Sequence, residues 1–440
     1  MIEQQERSIT YFTVTLGALT REGDALAEVV ELDDAGEQHT QTLHVPAGLP
    51  GEHVTIAVEA PLMPRPGRRS RRWKQRPPRV WITEIHQASP LRVQAPCPVF
   101  GTCGGCQLQH MQYAAQLEWK RGIVQQLLHD IGGFDDPPLL ATVPCDAPWH
   151  YRNHMRFSVN RSGQPGLTAR GTHRVLPLTT CPIAHEQINK ALDVLSQHVN
   201  AQPQVLIRCG AASGQMLIQP QQTDEVTQEL VAYGLDLHTE TMDEILGGET
   251  FRIRPSSFFQ TNTAQAEKMV QMVLQGLLSL HQHQQSEEQA EQAEQLTVID
   301  AYCGVGTFAL LLAQHVGKVI AIEESASAIK DAQWNLRNVE NITILKGKVE
   351  DVLPDIAAGL DGLVIDPPRA GCQQVVLDAL IQHPVASIVY VSCDPSTLAR
   401  DLHILCHIHP TYRLRSIQPL DMFPQTAHIE CVAVLEHIHS

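Results

Sequence analysis

Between residues 8 and 90, apolar and polar positions alternate, in TYFTVTLGAL, ALAEVVEL, QTLHVPAG and EHVTIAVEA, with Asp33, Asp34, Gly48 and Gly51 at the breaks. A period of two sends neighbouring side chains to opposite faces, so this stretch predicts several short antiparallel strands, closing most simply into a small barrel. The next segment, AAQLEWKRGIVQQLL, spaces Leu117, Ile123, Val124, Leu127 and Leu128 at helical intervals. Residues 149–245 mix strand patterns (MRFSVN, QVLIRCG, QMLIQP) with one helix near 186–199, which predicts a small α+β unit. HQHQQSEEQAEQAEQ at 281–295 is polar and of low complexity; it either extends a helix end or forms a disordered insertion, and no function is assigned to it.

From about residue 296 the texture changes. LTVIDAYC, KVIAIEES, GLVIDPP and SIVYVSC are short apolar runs bounded by Gly, Pro or polar residues, with helical patterns between them. That alternation predicts βαβ units and a parallel sheet. YRLRSIQPLDMFP and HIECVAVLEHI then predict an antiparallel hairpin at the sheet edge. Three domains are expected, over residues 8–90, 91–250 and 251–440.

Composition narrows the class. The chain has 440 residues, 43% hydrophobic and 18% charged, which suits a globular protein of two or three domains. No run of eighteen apolar residues occurs, so no membrane span is expected, and MIEQQERSITYF lacks the apolar centre of a signal peptide. A cytoplasmic protein is therefore expected, and its eleven cysteines favour metal ligation or thiol chemistry over a disulfide scaffold. The net charge of −16 argues globally against nucleic-acid binding. Distribution qualifies this, because PRPGRRSRRWKQRPPRVW at 64–81 carries seven arginines, one lysine and no acid. This island is either a solvated loop or an arm for phosphates, with Trp73 available to stack on a base.

The candidate chemistry gathers in the last third. The strand VID runs into DAYCGVGTF, where Gly304 and Gly306 permit a tight turn against a nucleotide-like ligand. Alone, this turn suits NAD as well as S-adenosylmethionine. Glu323 ends the next strand, where a carboxylate accepts ribose hydroxyls. Asp366 and Cys393 follow the fourth and fifth strands, and strand ends of this kind form the ligand crevice of an open α/β sheet. Glu430, in the last strand, is a candidate base. A thiol, a base and a methyl-donor crevice suit methylation at C5 of uracil. Thiolate addition at C6 makes C5 carbanion-like, and a base must then remove the C5 proton. In this reading Cys393 is the nucleophile, Glu430 the base and Asp366 orients the ring. Arg369 beside it serves the enolate oxygen, a phosphate or the structure.

These residues, in DAYCGVGTF, IDPPRAG, YVSCDPSTLARDL and MFPQTAHIECV, resemble the ordered motifs of the RNA uracil-C5 methyltransferases that act on bacterial tRNA and 23S rRNA. The resemblance covers nearly the whole chain; a small departure is Asp394, where the motif often has Asn. It implies a Rossmann-like, S-adenosylmethionine-dependent α/β sheet, an N-terminal barrel of the TRAM/OB type and a central α+β iron–sulfur domain. It implies cofactor contacts at Gln260, Tyr302, Gly304, Gly306, Thr307, Glu323, Glu350 and Asp366, with Asp351 an alternative to Glu350 and Phe258 close to the target.

CPVFGTCGGC at 97–106 spaces three cysteines C-x5-C-x2-C, one ligand short of a metal site, and four thiolates would suit zinc as well as iron. The resemblance implies a [4Fe-4S] cluster on Cys97, Cys103, Cys106 and Cys181, with Cys145 as a competing fourth ligand. It also favours 23S rRNA over tRNA as partner; a base inside a stem cannot reach a crevice thiol, so the uridine is expected to be unpaired or flipped out, and the enzyme is expected to be a monomer. WHYRNHMRF at 149–157 offers Arg152, Arg156 and two aromatics to such an RNA. The competing readings are a tRNA-directed enzyme, an NAD-dependent iron–sulfur oxidoreductase and a non-catalytic RNA-binding factor. Cys209, Cys303, Cys372, Cys406 and Cys431 are expected to be buried as small hydrophobes.

Overall fold

A computed structural model describes residues 9–32, 38–59, 77–281 and 296–438. The Asp33–Asp34 break, most of the basic island and the low-complexity segment from residue 282 on lie outside the described residues. The chain divides into two compact units, residues 1–116 with 425–427, and residues 117–424 with 428–440.

Among the described residues the first unit holds five strands, β1 (Ile9–Thr15), β2 (Ala25–Leu32), β3 (Gln38–Val45), β4 (His53–Glu59) and β5 (Arg79–Gln87). They form an antiparallel three-stranded sheet, β1-β4-β5, and a β2-β3 hairpin. Leu16, Ala27, Val29 and Leu43 share one buried cluster with Val54, Ile56 and Val80, so sheet and hairpin close on a single core.

The second unit begins with most of helix α1 (Tyr113–Asp130). An antiparallel sheet follows, built from β6 (His154–Val159), β7 (Pro165–Thr168), β8 (Val175–Pro177), β9 (Gln204–Cys209) and β10 (Gln215–Gln219), with β11 (Asp236–His238) parallel at one edge. Helices α2 (Glu186–Gln197) and α3 (Asp224–Ala232) lie between its strands in sequence, and α2 matches the helix expected near 186–199. The hairpin β12 (Met242–Leu246) and β13 (Glu249–Ile253) turns on Gly247 and Gly248, both left-handed, as a two-residue hairpin requires. Helix α4 (Thr263–His281) leads into the largest sheet.

That sheet runs through β14 (Thr297–Ala301), β15 (Lys318–Glu323), β16 (Ile342–Lys346), β17 (Gly362–Ile365), β18 (Ser387–Ser392), β19 (Tyr412–Leu420) and β20 (Glu430–His437). The order is β16-β15-β14-β17-β18-β20-β19, with the first five strands parallel and the final hairpin antiparallel at the edge. Its helices are α5 (Thr307–Leu312), α6 (Ala326–Asn335), α7 (Val349–Ile356), α8 (Gln374–Gln382) and α9 (Pro395–His403). Alternate strand residues face two separate cores. Val298, Val364 and Val389 pack with Val273 and Leu277 of α4, whereas Ile299, Leu363 and Ile388 pack with Val124 of α1 and Leu377 of α8. Both faces are thus covered, which is why these strands read as continuous apolar runs. Helix α4 sits close on the sheet through Gly276, where an added Cβ would lie 2.7 Å from Val434. Among the described residues no helix is long and apolar enough to cross a membrane.

Candidate active site

Parallel strands release their following residues at one sheet edge. There β14, β17 and β18 are followed by the Tyr302–Gly306 turn, Asp366 and Cys393. Strand β20 runs the other way and therefore starts at this edge with Glu430. The β18–β20 ladder ends by pairing Ser392 with Cys431, and Cys393 and Glu430 are the next residues of the two strands' chains at that end. The thiol is faced by the carboxyls of Glu430 and Asp366 and hydrogen-bonded by the Arg369 guanidinium.

Electrostatics at this edge favour neutral acids. Burial, helped by the neighbouring Glu430 and Asp366 carboxyls, pushes the Cys393 thiol up to about 11, against the pull of Arg369. Burial lifts Asp366 to about 7. Glu430, only 4% exposed, is raised well above the ordinary carboxylate range by burial and by Asp366, with Arg369 opposing. Carboxyls tuned upward in a half-closed crevice are suited to moving a proton near neutral pH.

A clamp behind the crevice holds Arg369. Asp401 accepts from Tyr390 Oη (2.7 Å) and from the Cys372 amide (2.9 Å) through Oδ2. Arg400 donates to Ala370 O (3.0 Å) and Cys372 O (3.2 Å), and Thr397 Oγ1 to Arg369 O (3.2 Å). Sequence reasoning missed this clamp. A signal was present, since Asp401 falls on the apolar stripe of α9 with Leu398 and Leu402.

The turn after β14 has the shape of a ligand cradle. Tyr302, Gly304 and Gly306 are all left-handed, at φ 63°, 58° and 88°. For a tyrosine this costs on the order of 1–3 kcal/mol, and such strain collects at functional sites. A Cβ added at Gly304 would meet nothing within 4 Å, so the turn leaves open space there. Asp300 anchors the turn by accepting from the Ala309 amide (2.8 Å) through Oδ2. Its buried Oδ1 has no partner, and burial raises the carboxyl well above its usual range. Glu323 accepts from the Gly304 amide (2.9 Å) and the Ser325 amide (2.7 Å), and Tyr302 Oη donates to Glu350 (3.0 Å). Glu350, rather than its neighbour Asp351, is thereby tied to the turn. Thr307 opens α5. Gln260 lies two residues beyond Phe258, which is 67% exposed, and the Gln260 carbonyl accepts from Asn153 (3.3 Å).

Other expected residues divide. In the 149–157 segment Tyr151 and Phe157 are buried and Trp149 and Arg152 are half-buried, whereas Arg156 is exposed. Cys209, Cys303, Cys372 and Cys431 are buried as expected, and Cys406 only partly. Cys97, Cys103 and Cys106 lie in the first unit and Cys181 in the second. Cys97 lies near enough to Cys103 to oppose its ionisation, and the Gly105 amide donates to Cys103 Sγ (3.4 Å). Cys145 accepts from Asn262 (3.6 Å). Among the described residues no group of three or more His, Cys, Asp or Glu side chains is gathered as a metal site. Thiolates of this kind have the donor chemistry of an iron–sulfur cluster.

A doubly covered parallel sheet with a left-handed glycine turn and an acid-lined thiol at its carboxyl edge has the ligand crevice of a Rossmann-like α/β enzyme. Known proteins agree. A family model described as tRNA (Uracil-5-)-methyltransferase matches residues 235–438. A relative from Gloeobacter violaceus named uncharacterized RNA methyltransferase is 36% identical over 406 residues, covering 81% of this chain and 85% of the relative. Another, so named, from Nostoc sp. is 31% identical over an alignment of 463 residues, covering 93% and 95%. The crystal structure of Pyrococcus abyssi tRNA (uracil-54, C5)-methyltransferase in complex with S-adenosyl-L-homocysteine superposes with a TM-score of 0.67 at 24% identity, covering 96% of this chain and 99% of that one, a likeness of fold. The chain belongs to the RNA (uracil-5-)-methyltransferase family and is an S-adenosylmethionine-dependent RNA uracil-C5 methyltransferase. The residues at the crevice fit that donor: the open glycine turn, the Glu323 carboxylate and the orphaned Asp300 oxygen offer space and acceptors.

Proposed function

We propose that this enzyme methylates C5 of a specific uridine in 23S rRNA through a covalent bond between Cys393 and uracil C6. Gln260, Tyr302, Gly304, Gly306, Thr307, Glu323, Glu350 and Asp366 are the residues assigned to hold S-adenosylmethionine, which when bound supplies an electrophilic sulfonium methyl. The Cys393 thiolate forms a bond to C6, and the C5=C6 electron pair moves toward O4. Arg369 and Asp366 face that ring, the first stabilising developing negative charge and the second orienting the uracil edge. C5, made carbanion-like by that addition, would take the methyl that the bound donor supplies. The Glu430 carboxylate takes the C5 proton, the C5=C6 bond re-forms and Cys393 leaves as thiolate. The target uridine must be unpaired or flipped to reach the thiol.

Support for this reading comes from the ladder that pairs Ser392 with Cys431, next to Cys393 and Glu430, and from the charges of Glu430, Asp366 and Arg369 acting on the same thiol. One experiment tests it: the protein is incubated with labelled S-adenosylmethionine and either unmodified 23S rRNA or unmodified tRNA, and the modified base is mapped. Label at uracil C5 of the rRNA, absent with Cys393→Ala, is expected; label on another atom or base overturns the assignment. A second reading, tRNA as substrate, draws support from the description of the matching family, and label at C5 of tRNA alone would favour it.

Residues 8–90 are assigned as a TRAM/OB-type RNA-binding barrel, 91–250 as the central domain and 251–440 as the methyltransferase domain. The shared core of the five N-terminal strands supports the first of these. Cys97, Cys103, Cys106 and Cys181 are assigned as ligands of a [4Fe-4S] cluster, the set that the family resemblance implies. About four irons and four sulfides per chain after anaerobic purification are expected, and a zinc-loaded or metal-free protein overturns that assignment.

A further inference from the structure

The connection that precedes Glu430 is held in an unusual way. Leu420, the last residue of β19, pairs across the ladder with Glu430. The next four carbonyls in the chain each accept from a side chain of a distant element. Gln265 Nε2 donates to Asp421 O (3.0 Å), Asn262 Nδ2 to Met422 O (3.1 Å), Lys120 Nζ to Phe423 O (3.2 Å) and Tyr151 Oη to Pro424 O (3.0 Å). Lys120 also donates to Asp421 Oδ1 at 2.5 Å, and both side chains are fully buried. The other donors are nearly as deep: Gln265 is 0% exposed, Asn262 2% and Tyr151 8%. Burying this many polar side chains is costly unless each is bonded, and here the bonds converge on one short backbone segment.

From this geometry we propose that Lys120, Tyr151, Asn262 and Gln265 are positioning residues for the base, fixing the start of β20 so that the Glu430 carboxyl stays against Cys393. Asn262 and Gln265 sit two and five residues beyond Gln260, so the segment carrying that cofactor-side residue also holds the base in place. The inference rests on the covalent reading above, because it is the second proton step that a displaced base would slow.

Thiol addition and methyl transfer do not need Glu430, whereas release of the RNA does. The test uses single-turnover reactions of the full chain with unmodified 23S rRNA and unmodified tRNA carrying tritium at uracil C5. Two quantities are followed: denaturation-resistant protein–RNA adduct and tritium release. Tyr151→Phe removes one hydroxyl and keeps the ring, and Tyr151→Phe/Asn262→Ala removes two donors. Release is expected to slow about fivefold in the first, the worth of one hydrogen bond, and more in the second, with adduct accumulating and its rate of formation within about twofold of wild type. A purely structural defect would lower adduct formation and release together, and that result overturns the inference, as does unchanged release in both variants. Glu430→Gln separates the two levels of argument. Adduct accumulating in Glu430→Gln but not in the double variant overturns the positioning inference alone. No adduct in Glu430→Gln with either RNA overturns the covalent reading and this inference with it.

Discussion

Arg369 hydrogen-bonds the Cys393 thiol while Glu430 and Asp366 oppose its ionisation, so replacing Arg369 with Met removes the one cationic group among these partners. With the thiol at about 11, roughly one molecule in a thousand carries the thiolate at pH 8. A hydrogen bond to a charged group is worth about 1.5–3 kcal/mol when shielded. Arg369 is exposed, so solvent screening reduces this to about 1 kcal/mol. That corresponds to about 0.7 pKa unit, or about fivefold less thiolate at a given pH. The assay is alkylation by iodoacetamide across pH 7–10, with the Cys393 peptide quantified by mass spectrometry. Cys209 and Cys431, both 0% exposed, serve as unreactive internal standards. Arg369→Met should alkylate about fivefold more slowly with its profile displaced to higher pH, and Arg369→Lys should recover part of the loss. Equal or faster alkylation of Arg369→Met would refute the reasoning.

Four further outcomes follow from the same geometry. Because deprotonation supplies the attacking thiolate and the thiol sits near 11, adduct formation should rise between pH 7 and 9, less steeply than tenfold per unit as Asp366 ionises near 7; a rate falling with pH contradicts this. Lys120→Met strands the buried Asp421 carboxylate and should cost about 3–5 kcal/mol in urea unfolding, most of it regained in Lys120→Met/Asp421→Leu; an unchanged midpoint for the single variant contradicts it. Gly306→Ala combines φ 88° with a Cβ 3.1 Å from Leu336, so it should lose about 1–2 kcal/mol of stability and weaken S-adenosylmethionine binding in calorimetry. Asp300 has its folded pKa raised above the unfolded value, so it costs stability as pH rises above the unfolded pKa; Asp300→Asn should therefore gain stability at pH 8 relative to pH 4, read from urea midpoints at both.

The placement of residues along this strand-end edge was legible because its signals are local. Cys393 and Asp366 each follow an unbroken apolar run, and parallel strands necessarily deliver such residues to one edge. The parallel sheet itself was legible from its punctuation by Gly and Pro. The hairpin YRLRSIQPL to HIECVAVLEHI was legible too, and with it the placement of Glu430. What escaped were contacts without a local period. Lys120 meets Asp421 across 301 positions, and nothing in a helical lysine announces a buried partner. The aromatics of 149–157 were offered to RNA without distinction, and nothing local marks Tyr151 as the one whose hydroxyl donates to Pro424 O. The N-terminal strands were legible as strands, but alternation does not say how sheets divide, and they form a three-stranded sheet with a separate hairpin. Cysteine spacing likewise names donors without stating their geometry.

The central claim concerns one sulfur atom and is best tested with RNA containing 5-fluorouridine, whose fluorine cannot leave as the C5 proton does. Incubation with S-adenosylmethionine, nuclease digestion and peptide mass spectrometry should find a methylated fluorouridine attached to Cys393, in amounts approaching one per enzyme. Methyl transfer to RNA with no such attachment, or an attachment at any other cysteine, would contradict the account.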